Sequence, residues 1–180
     1  MTTTTRMSTL RTFARRGSAA ALALGTSLGI SLTGAGSASA LSSGEVIGTN
    51  VLRNWETGRC LDAAAGDEGG VGRVYTNPCQ TGNAHQNWRV IYESHSTYDV
   101  VQVKNVATGL CLSTFGGGST LRTDACSDSF NDYWYGVGSS WDQVSFRNLV
   151  TGTCADSDYN GSAYAIGCND GGFQKWKLGF

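Results

Sequence analysis

The sequence predicts an all-β fold in which three similar units, about twelve strands in all, close on one another around a shared core. Three observations predict it. The phrase N-x-x-T-G-x-C occurs three times, through Asn54 and Cys60, Asn105 and Cys111, and Asn148 and Cys154. Each copy is followed by a second cysteine, at Cys79, Cys126 and Cys168, and then by a tryptophan, at Trp88, Trp134 and Trp176. Runs such as Val101-Gln102-Val103-Lys104 and Val144-Ser145-Phe146-Arg147 alternate apolar and polar residues as half-buried strands do. The copies begin 51 and 43 residues apart, a period too long for a hairpin and suited to one supersecondary unit that cannot bury its apolar face alone.

Residues 1–40 fall outside this pattern. They carry Arg6, Arg11, Arg15 and Arg16 with no acid, then an apolar run from Ala19 to Leu32, then Ala38-Ser39-Ala40. This is the pattern of a secretory signal with an A-x-A cleavage site. The run is interrupted by Gly25, Thr26, Ser27, Gly29 and Ser31 and is shorter than the ~20 apolar residues of a membrane span. Arg15-Arg16 raises twin-arginine export, but Gly17 and Ser18 follow where apolar residues are wanted, which favours the general secretory route.

Cleavage leaves nine basic residues against fourteen acids, a net charge of −5. Neither a nucleic-acid footprint nor a basic lipid-facing cluster remains, so a soluble, extracellular protein is expected, without membrane insertion. Residues 41–49 read as a short leader and 50–180 as one domain, with copies at about 50–97, 98–140 and 141–180. All six cysteines lie in that domain, and an even count in a secreted chain implies disulfides. Of the fifteen pairings, symmetry and proximity favour Cys60 with Cys79, Cys111 with Cys126 and Cys154 with Cys168. Each such loop stabilises the fold by about 3 kcal/mol. Zinc would want closely spaced C-x-x-C pairs, and the chain has none.

Within each copy the order reads strand, N-x-x-T-G turn, strand from the first cysteine, strand into the second cysteine, and strand carrying the tryptophan. Proline occurs once and glycine 25 times, so Gly and Asn make the turns, with Asn160-Gly161 as a hairpin signal. Four strands in each of three copies give a β-trefoil, with one core tryptophan per copy.

The phrases Cys60-Leu61-Asp62, Cys79, Gln86-Asn87-Trp88 and Cys154-Ala155-Asp156, Cys168, Gln174-Lys175-Trp176 resemble the ricin-type β-trefoil lectins, also called carbohydrate-binding modules of family 13. The resemblance covers about residues 50–180. It implies a shallow sugar site per copy. The Asp after Cys-Leu would accept vicinal hydroxyls, an aromatic two residues before the second cysteine would cover the ring, and an Asn before the Gln would orient another hydroxyl. The first copy keeps Asp62 and Gln86 and the third Asp156 and Gln174, whereas the second has Ser113 and Asp132 and is read as structural. The aromatic position holds Asn77, Asp124 and Ile166, and the position before the Gln holds His85, Asn131 and Phe173. Tyr75 and Tyr164 lie two residues earlier on the same strand face and supply the stacking surface. Gln86 and Gln174 also have a structural reading, as hydrogen-bonding groups inside the domain.

Asp156-x-Asp158-x-Asn160-Gly161 matches the opening of a calcium loop, but Gly167 stands where the bidentate Glu belongs. Asn160-Gly161-Ser162 is a glycosylation triplet. His85 and His95 are the only histidines and no hydrolase motif occurs, so no enzyme, catalytic residue, metal or cofactor is expected. Asp62 and Asp156, in different copies, do not form the close carboxyl pair of a glycosidase. The sequence therefore points to a secreted carbohydrate-binding, lectin-like protein. Its partner would be a glycan or polysaccharide, bound weakly and bivalently through the first and third copies. The competing reading is a trefoil scaffold binding a protein, as an inhibitor or interaction protein, through loops at Ala63 to Gly72, Tyr92 to Asp99 and Tyr135 to Asp142.

Overall fold

The computed structural model describes residues 40–64, 71–115, 117, 119–127 and 129–180. The expected signal segment and most of the loop between Ala63 and Gly72 lie outside the described residues. Contacts divide the chain into residues 1–38 and 39–180, and all that follows concerns the second unit.

That unit is all-β, with strands β1 (Val46–Asn54), β2 (Cys60–Ala63), β3 (Gly72–Asn77), β4 (Asn87–His95), β5 (Asp99–Asn105), β6 (Cys111–Phe115), β7 (Thr120–Asp124), β8 (Tyr133–Ser140), β9 (Gln143–Asn148), β10 (Thr153–Ser157), β11 (Ala163–Gly167) and β12 (Trp176–Leu178). Six strands pair antiparallel in a closed ring, β1-β4-β5-β8-β9-β12 and back to β1. The other six form hairpins β2-β3, β6-β7 and β10-β11. The hairpins meet through β3-β7, β7-β11 and the bridge between Tyr75 and Ser162. A ring leaves no unpaired barrel edge, which is how an all-β domain avoids edge-to-edge association.

Trp88, Trp134 and Trp176 are fully buried and fill the core with Leu52, Leu61, Leu112, Val90, Val101, Val103 and Phe146. Burying one indole stabilises by about 4–6 kcal/mol as an upper bound. Each indole N–H also donates to a hairpin carbonyl, of Leu61 at 2.9 Å, Leu112 at 2.9 Å and Ala155 at 3.1 Å. These bonds tie each hairpin to the ring. Disulfides Cys60–Cys79, Cys111–Cys126 and Cys154–Cys168 clamp the same three hairpins.

The N-x-x-T-G phrase folds the same way each time. Asn54 Oδ1 accepts the amides of Glu56 at 3.1 Å and Thr57 at 3.0 Å, and the Gly58 amide donates to the Asn54 carbonyl at 3.0 Å. Gly58 sits at φ 67°, and its counterparts Gly109 and Gly152 at 69°, where a Cβ would strain the backbone.

Two expectations are corrected. The stretches at Tyr92 to Asp99 and Tyr135 to Asp142 are mostly strand, because β4 runs to His95 and β8 to Ser140, so little loop remains there to bind a partner. The residues leading into the tryptophan strands are also partly helical. Gln174 and Asp132 sit in single 3-10 turns, Gly172–Gln174 and Phe130–Asp132, which swing those side chains back against the hairpins.

Candidate functional site

Hairpin β2-β3 sets Asp62 directly opposite Tyr75, and Cys60 opposite Asn77. The disulfide to Cys79 fixes the strand end that carries both polar groups. Asp62 is buried, and its Oδ2 accepts Gln86 Nε2 at 3.0 Å and Asn77 Nδ2 at 3.2 Å. Gln86 is 0% exposed. Its Nε2 also donates to the Pro78 carbonyl at 3.1 Å, and its Oε1 accepts the Gln80 amide at 2.8 Å. With its donors and acceptor engaged inside, Gln86 holds Asp62 in place, in keeping with its structural reading.

Asp62, Tyr75, Asn77 and His85 line one open cavity of about 460 Å³, together with Ala63, Ala64, Gln80 and Asn83. His85 Nδ1 lies 2.8 Å from the Ala63 carbonyl. A carbonyl only accepts, so Nδ1 carries a proton and the neutral ring keeps Nε2 as an acceptor. Burial raises the pKa of the Tyr75 hydroxyl, and the Asp62 carboxylate raises it further, so the phenol remains a donor at neutral pH. The cavity therefore combines a half-committed carboxylate, an aromatic wall, three amides and an imidazole. Such a set matches a ring with vicinal hydroxyls on one side and C–H bonds on the other.

The third copy repeats the central geometry. Asp156 lies opposite Tyr164 across β10-β11, and its Oδ2 accepts Gln174 Nε2 at 2.8 Å. Gln174 is 0% exposed, donates also to the Gly167 carbonyl at 3.1 Å and accepts the Asn169 amide at 2.7 Å, so it holds Asp156 as Gln86 holds Asp62. Among the described residues, Asp156 Oδ1 is buried with no hydrogen-bond partner. Burial raises the Tyr164 pKa, with the Asp156 and Asp158 charges adding to it. Asp158 instead turns away and caps the hairpin, its Oδ1 accepting the Ser162 amide at 2.8 Å.

Phe173 is half-buried, and Tyr159 meets it edge-on with ring centroids 5.4 Å apart. The Tyr159 hydroxyl donates to Glu56 Oε1 at 3.1 Å. Tyr159 is 62% exposed, and sequence reasoning missed it, although an aromatic at the tip of an Asn-Gly hairpin was the available signal. Gln80 and Asn83 were missed because short polar turns after a cysteine look like ordinary loop. Ile166, at the expected aromatic position, is 49% exposed.

The second copy departs in substance. Arg122 stands opposite Ser113 where the tyrosines stand. Its guanidinium carbon lies 3.7 Å from the Phe115 ring centroid, and its Nη2 lies 2.6 Å from Asp124 Oδ2. The carboxylate has moved across the site: Asp132 takes the position of the glutamines, and its Oδ2 accepts the Ser127 amide at 2.9 Å and Gln102 Nε2 at 3.0 Å. Among the described residues its Oδ1 is buried without a partner, and burial raises its pKa.

Sequence and structure comparisons agree on the family. The model described as "Ricin-type beta-trefoil lectin domain-like" matches residues 41–120 and 84–169. A designed 3-fold symmetric protein, ThreeFoil, superposes with a TM-score of 0.62 at 17% identity, covering 72% of this chain and 96% of that one, a likeness of fold. The hemolytic lectin CEL-III gives a TM-score of 0.62 at 25% identity over 78% of this chain, which spans 32% of CEL-III. GalNAc-T7, solved with UDP, GalNAc and Mn2+, gives 0.57 at 19% identity, with 23% of that chain covered, so the same fold also stands within an enzyme. No curated protein sequence matches. With the family model spanning most of the chain, the protein belongs to the ricin-type beta-trefoil lectin domain-like family.

Proposed function

We propose that this protein is a secreted carbohydrate-binding module, a β-trefoil of three sequence copies with sugar sites in the first and third. One observation carries the reading. At Asp62 and again at Asp156, a buried carboxylate faces a tyrosine across a hairpin and is held by a fully buried glutamine. A polar network of this kind has no use for the core, which is closed by its tryptophans. It presents a fixed acceptor beside an aromatic wall. Tyr75, Asn77 and His85 complete the first site, and Tyr164, Phe173 and Tyr159 the third. Each shallow site binds weakly, and two on one body gain by avidity on a polysaccharide.

A glycan and polysaccharide binding screen on the purified protein tests this, with Asp62→Ala and Asp156→Ala as single and double variants. Wild type should bind a neutral glycan, each single variant should lose one site, and the folded double variant should not bind. A screen in which wild type binds nothing would overturn the reading and favour the scaffold alternative.

A further inference from the structure

Arg53, Asn54, Trp55 and Lys177 line a cavity of about 280 Å³ whose lining includes none of the residues assigned to the two hairpin sites. Trp55 is 52% exposed, yet its indole N–H donates to the Asp142 carbonyl at 2.7 Å, so the ring is held in place rather than free to fold away. Beside it, Arg53 and Lys177 are direct cross-strand partners in β1-β12. Like charges in that relation repel and destabilise a sheet. Arg53 has no carboxylate within ion-pair distance among the described residues; its Nε donates to the Gly58 carbonyl at 3.2 Å, which leaves its two terminal nitrogens directed elsewhere. Lys177 has only Asp142 Oδ1, at 3.7 Å and largely in solvent. A held aromatic face next to two under-neutralised cations is unusual on a chain that carries no net positive charge.

The other copies give an internal control. Arg89 and Lys104 are also cross-strand partners, but Val106 stands in the tryptophan's place. Arg147 faces Tyr135, with Leu149 in that place. Only the first copy joins the cation pair to an aromatic plate.

We propose that this cavity binds a carboxylate-bearing sugar, the ring lying on Trp55 and the carboxylate bridging Arg53 and Lys177. Indole supplies the surface for ring C–H bonds, and the free edge of a guanidinium accepts a carboxylate in two parallel hydrogen bonds. The site is independent of Asp62 and Asp156, so either can fail without the other.

Calorimetric titration of the full chain, disulfides intact, with a galacturonic acid trimer, its methyl ester and a sulfated disaccharide tests the assignment. The acid trimer should bind about tenfold or more tighter than the ester and weaken with added salt. Trp55→Ala and Lys177→Gln should each cost about tenfold, while Arg89→Gln leaves the acid trimer's affinity unchanged. Lys177→Gln alters a partly exposed side chain and keeps the test valid if Trp55→Ala fails to fold. Equal affinity for the ester, tighter binding of the sulfated disaccharide, unchanged binding by the folded variants, or no binding of the acid trimer would each overturn the proposal.

Discussion

The first and second hairpins share one scaffold and differ at one face. Both carry a disulfide at the strand end and a buried indole bonded to a hairpin carbonyl, at 2.9 Å in each case. In the first, strand keeps the carboxylate and turn keeps the amide; in the second, Ser113 and Asp132 exchange that order, and Arg122 lies over Phe115 where a tyrosine wall would be. The scaffold tolerates either arrangement because the tryptophan and the cystine, not the polar pair, hold the hairpin. The polar pair is thus not needed to hold the hairpin, and among the described residues Asp132 Oδ1 is buried and unpartnered.

The largest effect should be the same on both sides. Trp88→Ala and Trp134→Ala should each destabilise the protein by about 3–5 kcal/mol, read by chemical denaturation. A large inequality between them would mean that the two hairpins do not share a scaffold after all.

Binding should then separate them. Asp62→Ala should weaken neutral-glycan binding at the first site by about 1.5–3 kcal/mol, the value of a hydrogen bond to a charged group, whereas Ser113→Ala should leave binding untouched. Melting curves run alongside separate this loss from unfolding of the hairpin.

The difference can also be reversed. Ser113→Asp with Arg122→Tyr and Asp132→Gln rebuilds the first arrangement in the second hairpin. The triple variant should gain a glycan site and about 1–3 kcal/mol of stability, since a buried acceptor no longer lacks a partner. Unaltered stoichiometry in a calorimetric titration would show that more than these three positions distinguish the sites.

The smallest effect concerns acid. Burial raises the Asp132 pKa above its unfolded value of about 3.8, so in the window between them the folded state holds the proton more tightly. The stability from that proton is fully present below about pH 3.8 and is lost as pH rises through the raised folded value. Asp132→Asn should flatten this part of the stability profile, and a wild-type profile unchanged by that substitution would remove Asp132 as its cause.

Much of this was legible in the sequence. The N-x-x-T-G phrase, the cysteine order and the spaced tryptophans announced the turns, the bridges and the core, because each depends on contacts within one copy. Strand alternation put Tyr75 on the face of Asp62, and the register makes them direct partners. What stayed hidden depends on contacts between copies or on burial. The single 3-10 turns that carry Asp132 and Gln174 inward are recorded by no local pattern. Trp55 and Lys177 are 122 positions apart, and Val106 and Leu149 stand where Trp55 would be in the other copies, so a search by repetition passes over the tryptophan.

The asparagine of each turn has a second contact that bears on how the domain assembles. Asn105 Nδ2 donates to the His85 carbonyl at 2.7 Å and Asn148 Nδ2 to the Asn131 carbonyl at 2.8 Å, each reaching back to the copy before it. Asn54 has no preceding copy, and its Nδ2 donates to the Phe173 carbonyl at 2.7 Å, 119 residues ahead. The first turn is therefore finished by residues of the third copy, 119 positions later in the chain. Contacts this distant in sequence require most of the chain to be ordered before they form, which slows folding and makes it collective. A nascent chain ending before Phe173 should hold an unlatched first copy, sensitive to protease over its whole length until the final strand arrives.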